Sequence, residues 1–298
     1  MIKIEGVYPA LITPFTEDDE IDTEGLRRLV EYVTEGGVAG IVPCGTTGES
    51  ATLSHEEHKR VIDVVVDCSK VPVIAGTGSN NTKEAIEFTK HAADAGADAC
   101  LLITPYYNKP NVKGLKEHFK IIGDSVEIPL ILYNIPSRTG QNVNAETTVA
   151  LASEIANVKG VKEASGDLKQ VGAIIRSVTE RGLDFTVVAG DDFLTLPIMS
   201  LGGKGVISVA ANIAPREMSE MVDAMLKGDV EKAKEINIRL FSLFEAMFLE
   251  TNPIPVKRAA EMMGLPAGHV RLPLSTLSES NEEKLRKVLE GLGMIGRR

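Results

Sequence analysis

The stretch AGIVPCGTTGESATLSHEEHKRVIDVVVDCSKVPVIAG, residues 39–76, decides the fold. It opens on a short apolar run, "AGIVPCG", and passes through a turn rich in glycine and threonine. It then reaches "LSHEEHKRVIDVVVD", where Ser54 and Glu57 stand in capping-box spacing ahead of a helical pattern. A second apolar run, "VPVIAG", closes it. Strand, helix and strand in that order make one parallel crossover unit. The same alternation fills most of the chain. Apolar runs begin at Gly6, Ala39, Val71, Asp98, Ile128, Val158, Phe185 and Gly203, and over most of the chain their starts lie about 27 to 33 residues apart. Eight such runs predict a TIM (β/α)8 barrel. A doubly wound open sheet is the alternative, but the first turn carries no GxGxxG, and "GTGSNN" at Gly76 supplies only two of its three glycines. After "GKGVISVAANIAP" the strand signals stop, and the pattern turns helical, broken only by "ETNPIPVK". The expected organisation is a barrel domain over residues 1–224 and a C-terminal helical domain over 225–298, with no linker between them.

Composition sets the broad class. A chain of 298 residues with 43% hydrophobic composition can bury a large core. Its 32 basic and 42 acidic residues leave a net charge of −10, which argues against nucleic acid or an anionic membrane as the main partner. No apolar run approaches the roughly 18 to 20 residues of a membrane span, and "MIKIEGVYPALITPF" lacks the pattern of a secretory signal, so a cytoplasmic setting is expected. Cys44, Cys68 and Cys100 are odd in number and far apart. They are expected to pack rather than to form disulfides or bind zinc.

In a barrel of this type chemistry sits at the C-terminal ends of the strands. There the chain places "GTTGES", "TPYYN", "YNIPSRTG", "KEASGD" and "GDD". Lys162 alternates with Val161 and should project into the barrel mouth. Desolvation disfavours an ammonium, and the neutral amine is a nucleophile able to form a Schiff base; a lysine snorkelling to solvent is the bland alternative. Tyr133 ends the neighbouring run and offers a phenol for proton transfer, or merely a buried hydrogen bond. Thr46 and Thr47, in a glycine-containing loop before a helix, suit a carboxylate or a phosphate, although a simple turn reads equally well. Arg138 can hold a carboxylate through two hydrogen bonds. "GDD" lacks the histidines or further carboxylates of a metal centre, so no metal and no cofactor are expected. "HEEH" at residues 55–58 is one residue short of the zincin spacing and reads as an exposed helix face.

Taken together, "GTTGES", "TPYYNKP", "LYNIPSRTG", "GVKEASGD", "GDD", "GGKGVISV" and "NPIPVKRA" resemble the dihydrodipicolinate synthase family over essentially the whole chain. The resemblance implies a homotetramer, a dimer of dimers, of barrels with C-terminal helical domains. It implies condensation of pyruvate with L-aspartate 4-semialdehyde on the diaminopimelate route to lysine. By that likeness Lys162 forms the Schiff base, and Tyr133, Thr46 and Tyr107 relay protons, with Tyr107 reaching into a neighbouring subunit. Thr47 holds the pyruvate carboxylate, Arg138 meets the carboxylate of the semialdehyde, and Gly190 and Ile207 line the pocket. The same likeness implies an allosteric site for L-lysine at Ser50, Ala51, His55, His58, Asn80, Glu84 and Tyr106. Sugar-acid aldolases and N-acetylneuraminate lyases of the same superfamily share the lysine, the tyrosine and the loop. Arg138 favours the small amino dicarboxylate derivative over a polyol. A non-catalytic binding protein on the same scaffold would have no use for Lys162 together with Tyr133.

Overall fold

The computed structural model describes residues 2–296, so the first residue and the last two residues of the expected domains lie outside it. Seven strands form among the described residues: β1 (Gly6–Pro9), β2 (Ile74–Gly76), β3 (Ala99–Ile103), β4 (Leu130–Asn134), β5 (Val158–Glu163), β6 (Thr186–Ala189) and β7 (Gly205–Ser208). Their order in the sheet is β1-β7-β6-β5-β4-β3-β2. Every neighbouring pair from β2 to β7 is parallel, as the interposed helices require. The strands are buried along nearly their whole length, which is why they read as continuous apolar runs rather than as alternating ones.

The second apolar run is where the structure departs from the expected eight strands. Residues 39–45 form no strand, although Val42 makes a parallel bridge to Ala10, just past the first strand. Hydrogen bonds do follow a strand-like path: Ala39 N–H to Val7 O, Val42 N–H to Pro9 O and Leu11 N–H to Val42 O. Pro43 then has no N–H to donate, and Cys44 turns to a left-handed φ of 55°, so the ladder stops.

Short polar caps fix where the helices begin. The capping box at Ser54 and Glu57 forms in both directions, with Ser54 N–H donating to Glu57 Oε2 at 2.7 Å and Glu57 N–H to Ser54 Oγ at 3.2 Å. Asp22, Asn81, Asn111, Asn144 and Asp167 cap five further helices, each side chain accepting from backbone N–H of the first turn. Each such cap stabilises its helix by about 1 kcal/mol.

The chain divides into two compact units, Met1–Gly6 with Pro72–Ile207, and Val7–Val71 with Ser208–Arg298. The first holds β2 to β6 and their helices. The second holds the "GTTGES" loop and the helices Val230–Ala246, Ile254–Met262 and Glu279–Gly291.

The second unit contains a buried lysine the sequence did not single out. Lys257 is 2% exposed, and its ammonium donates to Glu49 Oε1 at 2.7 Å, to Thr13 O at 3.0 Å and to His269 O. It also lies 4.3 Å from the centre of the Phe15 ring. The other oxygen of Glu49 accepts from the backbone N–H of Arg271, whose guanidinium grips Glu57 and pulls that carboxyl down to about 2. This network ties "GTTGES" to residues far along the chain. It also holds Glu49 at a φ of 55°, which a non-glycine residue rarely adopts. Burial lowers the Lys257 ammonium to about 8, with Glu49 opposing the shift. Lys257→Met strands the Glu49 carboxylate and is expected to lower the unfolding free energy by about 3–5 kcal/mol. Adding Glu49→Gln should restore part of it. Urea unfolding of both variants checks this, and a loss under about 1 kcal/mol in Lys257→Met contradicts it.

Candidate active site

Parallel pairing sets the centre of the site. In the β4–β5 register Tyr133 lies opposite Lys162, and in the β5–β6 register Lys162 lies opposite Val188. Paired residues of adjacent strands face the same way. The Lys162 nitrogen accordingly sits over the Tyr133 ring, 4.2 Å from its centre. Both side chains are buried, Lys162 at 6% exposure and Tyr133 at 5%. Gly190, just past β6, leaves the space the lysine needs: a Cβ there would meet Lys162 Cγ and Cε at 3.1 Å and Ala164 Cβ at 2.7 Å. Ile207, on β7, is buried as well.

Electrostatics turn this geometry into chemistry. Burial lowers the Lys162 ammonium to about 7; the Arg138 charge lowers it further, and the Asp192 carboxylate opposes both. A lysine lowered in this way carries far more free amine near neutrality than an ordinary lysine does. An amine of this kind attacks a carbonyl carbon, and the resulting iminium keeps its charge over the face of a phenol ring. Asp192 is buried, and burial pushes its neighbour Asp191 up from the usual carboxylate range. Arg138 lies exposed in the short helix Pro136–Thr139.

Thr46 and Thr47 belong to the second unit. Their loop is closed by Gly48 N–H donating to Gly45 O and Glu49 N–H to Thr46 O, both at 3.1 Å. Thr47 is buried, and its hydroxyl accepts from Asn252 Nδ2 at 3.0 Å. Accepting from Asn252 leaves the Thr47 hydroxyl proton available to donate to an anion. Asn252 stands in "NPIPVKRA", but nothing in its spacing announced this contact.

The residues expected to bind an effector fall into two groups. Within the first unit, Asn80 Nδ2 donates to Tyr106 O at 3.2 Å, Asn108 Nδ2 donates to Asn80 O at 2.9 Å, and Ser79 Oγ donates to Glu84. Tyr107 follows on the same loop at a φ of 67° and is 90% exposed. Within the second unit, Ser50 and Ala51 lie in the 3-10 turn Ser50–Thr52, and His55 and His58 in the first turn of the helix His55–Cys68. The two histidines do not share an exposed face. His55 is exposed, whereas His58 is buried, because it continues the apolar stripe of Val61, Ile62 and Val65 at helical spacing.

Among the described residues no group of three or more His, Cys, Asp or Glu side chains is arranged to hold a metal ion. Cys44 and Cys100 are buried, and burial pushes the Cys100 thiol up to about 12, so neither serves as a thiolate nucleophile. No helix of the described residues is long and apolar enough to cross a membrane.

Comparison with known proteins shows the family. The profile of the dihydrodipicolinate synthetase family matches residues 3–292. A 4-hydroxy-tetrahydrodipicolinate synthase of Methanosarcina barkeri is 61% identical over 98% of this chain and 99% of its own length. The crystal structure of the dihydrodipicolinate synthase of Aquifex aeolicus shares 47% identity at a TM-score of 0.95, covering 99% of this chain and 100% of that one. A dihydrodipicolinate synthase of Cyanidioschyzon merolae, solved with lysine bound, shares 42% identity at a TM-score of 0.94 over 98% of this chain and 99% of its own. These matches span both the strands and the helices that follow them, and the chain belongs to the dihydrodipicolinate synthetase family.

Proposed function

We propose that Lys162 is the Schiff-base nucleophile of this chain, and the single observation that carries the assignment is its buried amine set over the Tyr133 ring. The overall reaction is that of the family, condensation of pyruvate with L-aspartate 4-semialdehyde on the route to lysine. The amine adds to the pyruvate ketone, and loss of water leaves an iminium. The iminium draws a proton off C3 to give an enamine, whose C3 forms a bond to the aldehyde carbon of the second substrate, the aldehyde oxygen taking up a proton. The amino group of that substrate then attacks the iminium carbon, closes the ring and releases Lys162 as free amine. Tyr133, Thr46 and Tyr107 carry the protons in this reading. Thr47 donates to the pyruvate carboxylate, and Gly190 and Ile207 line the pocket. Arg138 takes the carboxylate of the semialdehyde; that charge favours this substrate over the polyol partners of the sugar-acid aldolases.

We read residues 225–298 as a C-terminal helical domain, since no strand follows β7 among the described residues. A tyrosine held 90% exposed in a left-handed turn supports assembly into homotetramers in which Tyr107 enters a neighbouring subunit. L-lysine is the effector in this reading, its ammonium on Glu84 and its head group on Asn80 and Tyr106, with Ser50, Ala51, His55 and His58 completing the site. Lysine bound to the relative from Cyanidioschyzon merolae supports it. The working setting of the enzyme is the cytoplasm.

Borohydride added with pyruvate should inactivate the enzyme and leave the reduced adduct on Lys162, as peptide mapping reads it; label on another lysine, with Lys162 untouched, defeats the assignment. Arg138→Ala should cut kcat/KM for the semialdehyde by about ten- to hundredfold while trapping with pyruvate survives, because a charge-assisted contact made only by the second substrate is lost. Equal loss of both steps would give Arg138 a different role. Millimolar L-lysine should inhibit the wild type in part, and Glu84→Ala should relieve that inhibition; a variant inhibited as strongly as the wild type contradicts the effector site.

A further inference from the structure

Next to Lys162 in the chain stands a buried carboxyl group that the mechanism does not use. Glu163 ends β5 and is 1% exposed. Its Oε1 accepts from Asn134 Nδ2 at 3.1 Å and from the backbone N–H of Ser165 at 2.8 Å. Its Oε2 accepts from Asn134 Nδ2 and Gln170 Nε2, both at 3.2 Å. All of these donors are neutral amides. A carboxylate kept in the interior without a cation is costly unless its acceptor capacity is needed and filled.

What those donors hold is the loop that carries Arg138. Asn134 stands at the start of that loop, at the end of β4, and Asn142 and Val143 stand at its far end. Asn134 Nδ2 donates to Asn142 Oδ1 at 2.8 Å, and Asn134 Oδ1 accepts the backbone N–H of Val143 at 3.0 Å, so one side chain staples the two ends together. Gln170, at the start of the helix Leu168–Glu180, donates through Nε2 to Asn142 Oδ1 and to Val143 O, both at 3.2 Å, and accepts from Asn142 Nδ2 at 2.9 Å. Glu163 is the member of the cluster that only accepts. It fixes which way the Asn134 and Gln170 amides point, and they in turn fix the base of the loop.

We propose that Glu163 is a positioning residue for Arg138: its carboxylate orients the Asn134, Asn142 and Gln170 amides that close the base of the 135–143 loop, and so sets the grip on the second substrate. This rests on the reading of Arg138 as the contact for the semialdehyde carboxylate. Glu163→Gln keeps the shape of the side chain but turns one acceptor into an NH2 facing donors, so the amides must reorient and the staple loosens.

The test uses the intact enzyme and separates the two substrates. Glu163→Gln should raise KM for the semialdehyde about tenfold or more, while the rate of borohydride trapping with pyruvate stays within about twofold of wild type. Asn142→Ala touches the loop base without touching β5, and should give the same split; if Glu163→Gln does not fold, it decides the matter. In the double variant Glu163→Gln with Arg138→Ala, KM for the semialdehyde should be no worse than in Arg138→Ala alone. Equal loss of semialdehyde use and pyruvate trapping would show a merely structural role and overturn the proposal. So would an unchanged semialdehyde KM in Glu163→Gln or Asn142→Ala, or additive effects in the double variant. If Arg138→Ala itself leaves semialdehyde use intact, the reading of Arg138 fails and the inference fails with it. An impaired Arg138→Ala beside a normal Glu163→Gln overturns the inference alone.

Discussion

Desolvation of one amine is the constraint on which this structure turns. A lysine nitrogen on a central strand, set over a phenol ring and shut away from water, loses most of its preference for the charged form. The parallel sheet makes this possible, because its strands are buried on both faces and register alone places Lys162 beside Tyr133. Gly190 gives the side chain room, and the charge of Arg138 adds to the effect of burial. Fold and reactivity therefore share a cause: the packing that holds β4, β5 and β6 together also lowers the Lys162 ammonium toward neutrality.

The second buried lysine shows how much the surroundings decide. Lys257 is buried too, but it is met by a carboxylate and two carbonyl oxygens, and burial takes it to about 8. Its role is to anchor the loop bearing Thr46 and Thr47 rather than to react. Lys162 has Asp192 in its favour and Arg138 against it, and it falls to about 7. One residue type is thus a structural cation in one unit and, in the proposed function, the nucleophile in the other.

Much of this was legible in the sequence, and the remainder was hidden for definite reasons. Apolar runs at regular spacing marked the strands, because strands buried on both faces leave no polar residues to interrupt them. Lys162 was visible as a charge inside such a run, and Tyr133 as the polar end of the run before it. Pro43 and the left-handed turn at Cys44 stop the second run from forming a strand, which composition alone does not reveal. His58 was misread as exposed because "HEEH" is polar throughout, although its spacing from Val61, Ile62 and Val65 put it on the buried stripe. Asn252, Lys257 and the amide cluster around Glu163 act through contacts between residues far apart in the chain or in separate elements, which no local pattern encodes.

The most direct test of the account is the titration of Lys162 itself, in the absence of substrate. NMR of the enzyme with 13C-labelled lysine, with the Lys162 resonance assigned by loss of the signal in Lys162→Met, reads that ionisation without passing through the reaction. A midpoint about 7 for Lys162, moving upward in Arg138→Ala as the opposing charge is removed, is the expected result. A midpoint near the 10.5 of an unperturbed lysine, unmoved by Arg138→Ala, would contradict the claim that burial prepares the nucleophile.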